Sequence, residues 1–144
     1  MFADRISDMM IKPGSSPVFN RPEDFDLDDE DVEIVASDGV TLRGWLIKGG
    51  TDKVIVQSHF GVQSSRAGFR PAGKGMIKMW KADIAFLQHA KNLVDHGYSV
   101  LMYDFRNHGE GDAGTCPWVS WGPEEAKDVL AAVDFVASSP RIRS

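Results

Sequence analysis

Across 144 residues the chain has one cysteine, Cys116. A lone thiol excludes an internal disulfide framework and fits a reducing compartment. No apolar run is long enough to span a bilayer: the longest are broken by charge within about ten residues, against about 20 required. The N-terminus, MFADRISDMMIKPG, carries acids and lacks the apolar stretch of a secretory signal. Basic clusters are missing too, with 16 Lys and Arg against 21 Asp and Glu and a net charge of -5. Nucleic-acid binding needs concentrated positive surface. These absences point to a cytoplasmic protein with no nucleic-acid and no membrane partner.

Cofactor motifs are equally scarce. Ala72-Gly73-Lys74-Gly75 lacks the Walker spacing and the Ser/Thr that follows it. No G-x-G-x-x-G follows an apolar run, which argues against a dinucleotide fold. His108 has no second ligand at metal spacing. The expectation is therefore no cofactor and no metal.

What is present is a patterned α/β chain. Residues 1–31 show little periodicity and read as an acidic, loop-rich N-terminal segment, with seven acids among the nine residues 23–31. Such a run reads as a solvated approach segment. Residues 32–37 and 41–49 alternate apolar and polar around Asp38-Gly39, the signature of a β-hairpin. Residues 53–58 form a short β-branched apolar run that reads as a strand buried on both faces, and 98–104 (YSVLMYD) read as a second buried strand. Between them lies a long loop from His59 to about Trp80, then a helix over 81–97 with Phe86, Leu87, Ala90, Leu93 and Val94 on one face and Gly97 as its terminator. A last helix follows Pro123, with Ala126, Val129, Leu130, Val133 and Val136 as its apolar face and Ser138-Ser139-Pro140 as its stop. The β-β-β-α-β-α order predicts an α/β sheet, mostly parallel after an entry hairpin. The final helix has no following strand to return to, so the sheet reads as incomplete, with an unpaired edge open to self-association.

Three features stand in fixed order: Ser58-His59-Phe60-Gly61 with Arg66 after a strand; Tyr103 to Asp112 (YDFRNHGEGD) after the next parallel strand; and Trp121-Gly122-Pro123-Glu124-Glu125 opening a helix. With the hairpin DGVTLRGWLI, they resemble the α/β-hydrolase superfamily, in particular its serine-aminopeptidase-like and esterase-like members. The resemblance covers about residues 30–144 and makes 32–144 a partial domain that stops before the nucleophile elbow.

The resemblance implies a small-molecule acyl substrate and a serine nucleophile beyond Ser144. It also implies an oxyanion hole built from backbone N–H groups of the loop after the third strand. The family's glycine after the histidine is replaced here by Phe60, which leaves Phe60, Gly61 and Val62 as donor candidates. His59, Asp104, Arg106 and His108 are expected to support the active-site loops, Asp104 and Arg106 as internal ion-pair or hydrogen-bond partners. Asn107 stands for a glycine of the family turn, and Gly111 for a common serine. None of the triad is present: no complete G-x-S-x-G occurs, Ser120 reads as a helix-entry residue and Cys116 as a loop thiol without a base. The isolated chain is expected to be inert. The alternative is a non-catalytic half-domain that completes its sheet with a partner chain.

Overall fold

A computed structural model describes residues 2–12, 17–60, 63–70 and 83–139. The hairpin forms as its alternation requires: β1 (Asp29–Val35) and β2 (Thr41–Ile47) pair antiparallel, from Asp29 opposite Ile47 to Val35 opposite Thr41. The turn is closed by Ala36 and Val40, with Gly39 at a φ of 87°. β1 starts three residues before the apolar alternation, so the boundary drawn between residues 31 and 32 falls inside a strand. Four of its seven residues are acids.

β3 (Val54–Ser58) comes next. Within the long loop lies a small antiparallel sheet of β4 (Ser64–Ser65), β5 (Gly68–Phe69) and β6 (Ile84–Ala85). Residues 71–80 lie outside the described part. Of the helix expected over 81–97, residues 81 and 82 also lie outside the described part; among the rest the helix is α2 (Phe86–Asp95), Ile84 and Ala85 being taken up by β6. Its end is as expected: Gly97, at a φ of 90°, bonds to the Val94 carbonyl and Tyr98 to that of Leu93, the two bonds of a Schellman motif. β7 (Ser99–Tyr103) follows, and then α3 (Glu125–Ser138).

The main sheet has the order β1-β2-β7-β3, with β2 and β7 antiparallel and β3 and β7 parallel. Each face has its own core. Val32, Ile34, Leu42, Leu46, Leu101 and Tyr103 pack with Ala132 of α3. Trp45, Ile47, Val100 and Met102 pack with Leu87 and Ala90 of α2. Of the three strand pairings in the main sheet only β3 with β7, the one after the entry hairpin, is parallel.

Three readings of the sequence need correction. β7 is buried, as expected, but β3 is half-buried, because it forms an edge of the sheet. Its five residues, VIVQS, carry no charge. Residues 2–11, read as aperiodic, form α1 (Phe2–Ile11); Val119 and Trp121 hydrogen-bond its last carbonyls, those of Ile11 and Met10. The apolar face assigned to α3 is also rotated. Ala131, Ala132, Phe135 and Val136 face the sheet along with buried Asp128, while Val129, Leu130 and Val133 are exposed, Leu130 by 63%. The helix is apolar nearly all round, so periodicity could not choose between its faces.

The rotation is testable by urea denaturation. Leu130→Gln is expected to change stability by less than about 0.5 kcal/mol, as at an ordinary surface position. Ala132→Gln, which forces a larger polar group into a closed core, is expected to cost at least about 2 kcal/mol. A larger loss from Leu130→Gln than from Ala132→Gln would restore the face read from periodicity.

Candidate active-site loops

The parallel register sets Ser58 opposite Tyr103, with the Ser58 and Tyr103 hydroxyls 2.7 Å apart. The turns that follow these strands therefore emerge side by side at the C-terminal ends of β3 and β7, where open α/β sheets place their ligand sites. Burial pushes the Tyr103 hydroxyl up to about 12, so it stays protonated.

His59 is buried, and both of its ring nitrogens are engaged. Nε2 accepts the Phe105 N–H at 3.1 Å, so Nδ1 carries the proton and faces the Ser64 hydroxyl at 3.0 Å. Ser64 in turn donates to the Phe60 carbonyl. This relay ties the loop after β3 to the turn after β7. Burial, with His108 nearby, lowers the His59 value to about 3. The imidazole is thus held neutral with no free nitrogen for proton transfer. Phe60 is exposed by 55%, its ring against Phe69 and Phe86. Gly61 and Val62 lie outside the described residues.

Asp104 and Arg106 are ion-paired, each to a different partner. The Asp104 carboxylate takes the Arg66 guanidinium, the Arg66 N–H at 2.6 Å and the Glu110 N–H at 3.0 Å. Burial raises the Asp104 carboxyl, and Arg66 with the two N–H groups opposes that rise. Arg66 also reaches Glu110, whose carboxyl it lowers, and lies 4.3 Å from the centre of the Trp45 ring.

Arg106 meets Asp128 at 2.7 Å, Asp38 at 2.7 Å and Glu124 at 2.8 Å, and its own N–H donates to Asp128 at 3.0 Å. Burial would lower the guanidinium; the carboxylates of Asp128 and Asp38 raise it instead. The hydrogen bond from Arg106 holds Asp38 far below the ordinary carboxylate range. Sequence reasoning missed Asp128 and Asp38.

The turn between Asp104 and Asp112 explains both departures from the family pattern. Asn107 sits in the left-handed region at a φ of 64°, its side chain bonding the Gly114 N–H and the Cys116 carbonyl. A Cβ on Gly111 would come within 2.7 Å of the Phe105 carbonyl oxygen, so a serine does not fit this turn. His108 is buried, its Nδ1 on the Arg106 carbonyl at 2.9 Å and its ring 5.0 Å from that of His59. Ser120 is absorbed by the start of α3: its hydroxyl accepts the Glu124 N–H at 2.9 Å and donates to Glu125. Burial would raise the Glu125 carboxyl, but bonds from Ser120 and Gly122 hold it down. Among the described residues, no group of three His, Cys, Asp or Glu could hold a metal ion. No helix there is long and apolar enough to cross a membrane.

No protein-family model and no curated protein matches the sequence. Solved structures do. An esterase from Pyrococcus furiosus superposes with a TM-score of 0.70 at 27% identity, over 94% of this chain and 44% of its own. An α/β-hydrolase from Penicillium sp. sh18 gives 0.51 at 24% identity, over 78% of this chain and 33% of its own. An esterase from Exiguobacterium antarcticum gives 0.52 at 18% identity, over 75% and 32%. The fold is that of the N-terminal part of these hydrolase structures, and the chain spans less than half their length.

The two buried clusters carry distinct predictions. Asp128→Asn leaves the Arg106 charge under-compensated and is expected to cost about 3–5 kcal/mol in denaturant unfolding. His59 binds its proton near pH 6.5 when unfolded and only near 3 when folded. Its contribution is therefore complete above about pH 6.5 and is lost as pH falls toward 3. Between pH 6.5 and 4.5 the His59 contribution to stability is expected to drop by about 2 kcal/mol. His59→Gln should flatten that drop. An NMR titration of His59 with a midpoint near 6.5 would contradict the geometry.

Proposed function

We propose that this chain is the N-terminal part of a hydrolase acting on ester, amide or related acyl bonds through a serine nucleophile located beyond Ser144. The observation that carries the reading is the relay linking the Phe60 carbonyl, Ser64, His59 and the Phe105 N–H. It fixes the loop after β3 beside the turn after β7, in a site whose only nearby imidazoles are buried. A loop held this way suits preorganised backbone donors, which stabilise the oxyanion of a tetrahedral intermediate by about 3–4 kcal/mol. In this reading the donors come from Phe60, Gly61 or Val62. His59, Asp104, Arg106 and His108 hold the loops, and the substrate is a small acyl compound. The reading needs no cofactor, and the single cysteine fits a cytoplasmic setting.

The test starts with the coding sequence downstream of Ser144, expected to contain G-x-S-x-G followed by an acid and a histidine. The extended chain should hydrolyse p-nitrophenyl esters, and replacing that serine by alanine should abolish the activity. The 144-residue chain alone should show no saturable turnover. Turnover blocked by a fluorophosphonate attached to one of its own serines would overturn the assignment.

A second reading, a half-domain that completes its sheet with a partner chain, is favoured by the half-buried edge strand β3 and the exposed Val129, Leu130 and Val133. It predicts a discrete, cooperatively unfolding oligomer by light scattering. A folded monomer would exclude self-completion.

A further inference from the structure

α1 is fastened to the rest of the chain at its C-terminal end. The Val119 N–H donates to the Ile11 carbonyl at 2.8 Å and the Trp121 indole N–H to the Met10 carbonyl at 3.0 Å, while the Lys12 ammonium stands 5.3 Å from the centre of the Trp118 ring. Along the helix, residues 3–8 and 10 are all exposed. Charge and apolarity are nonetheless sorted around it. Ala3, Ile6 and Met10 recur at the i, i+3, i+7 spacing of one face. Asp4, Arg5 and Asp8 fall on the other, and Lys12, just past the helix, bonds Asp8 at 2.6 Å. A short amphipathic helix takes its stability from packing its apolar face, yet Ile6 is exposed by 40% and Met10 by 56%.

The apolar surface continues onto the segment that caps the helix. Ile6 lies one turn from Met10, Met10 is bonded to Trp121, and Trp118 and Trp121 are exposed by 41% and 60%. Trp121 is held at a φ of 57°, a region that bulky side chains rarely enter. Its indole N–H, the one polar atom of the ring, already has its acceptor. The Met10 and Ile11 carbonyls, which a helix end ordinarily leaves to water, already have donors. Moving this surface into an apolar medium strands none of these groups. Charge then selects the medium. Asp4 and Asp8 balance Arg5 and Lys12, while the chain as a whole carries -5. An anionic surface, or a second copy of this acidic chain, is repelled; an uncharged apolar surface is not.

We propose that α1, with Trp118 and Trp121, docks this chain on an electrically neutral lipid surface, the helix lying in the plane with Ile6 and Met10 among the acyl chains. Tryptophan is enriched at that depth. Lying along a bilayer needs no run long enough to cross one, so the sequence expectation of no membrane partner does not reach this mode of contact. Trp121 also lines a cleft with Phe105 and His108, so the docked face adjoins the turn after β7. Docking stands on this surface alone. That the lipid layer supplies the acyl substrate rests on the function proposed above.

The 144-residue chain is mixed with phosphatidylcholine vesicles and floated on a density gradient, with vesicles of equal parts phosphatidylcholine and phosphatidylserine as the comparison. It is expected to float with the first and several-fold less with the second. Ile6→Asp combined with Met10→Asp should lower partitioning at least about tenfold. Leu130→Asp, at a still more exposed apolar position on α3, should leave it unchanged. Circular dichroism checks that each variant keeps the native spectrum; if the double variant does not, the comparison of vesicles on the native chain decides alone. A native chain that stays in the soluble fraction, tighter binding to the phosphatidylserine vesicles, or an equal loss from Leu130→Asp would each overturn the proposal. So would a dimer in light scattering that the double variant dissociates, which would assign the patch to a second copy. None of these readouts involves turnover, so failure of the docking and failure of the hydrolase reading remain separable.

Discussion

The guanidinium of Arg106 is the constraint on which the rest of this structure depends. Arginine does not give up its charge, so burying it obliges the fold to bring carboxylates to it. Asp38 comes from the hairpin turn, Glu124 and Asp128 from the start of α3, and Arg106 itself from the turn after β7. Every N–H of the guanidinium has an acceptor among these three. Three segments far apart in sequence are thereby fixed around one side chain, at the end of the sheet where the candidate loops emerge. Lys127 adds a screened, exposed link between Asp38 and Glu124.

The second buried pair, Asp104 with Arg66, does for the α2 side of the sheet what Arg106 does for the α3 side. It anchors the small β4–β5–β6 sheet to the turn after β7 through both side-chain and backbone bonds. The His59 relay then joins the two strand ends directly. Together these contacts hold the Phe60 carbonyl and the Arg66, Phe105 and Glu110 N–H groups through side chains that are buried or nearly so.

The hairpin, the strand β7, the termination of α2 and the left-handed Asn107 were legible because each is set by local chemistry: alternation, turn residues, a glycine at the helix end. The half-burial of β3 was not, because a strand's rank in the sheet depends on neighbours rather than on its own residues. The inward face of α3 was misread for a related reason. Its turns carry apolar residues on opposite sides, and the choice between them is made by Asp128, which must reach Arg106. Periodicity sees hydrophobicity and not the pull of a distant ion. The candidate residues His59, Asp104, Arg106 and His108 could be named from motif order, but their pairing with Arg66, Asp38 and Asp128 required the fold.

The two rims of the main sheet are chemically unlike. β1 presents a strand in which acids outnumber apolar residues, and β3 presents one without any charge. A row of carboxylates resists the approach of an identical row, whereas a neutral strand offers its peptide groups without that repulsion. A strand laid along β3 would meet no side-chain charge on that rim, whereas two copies set β1 to β1 would oppose acid with acid.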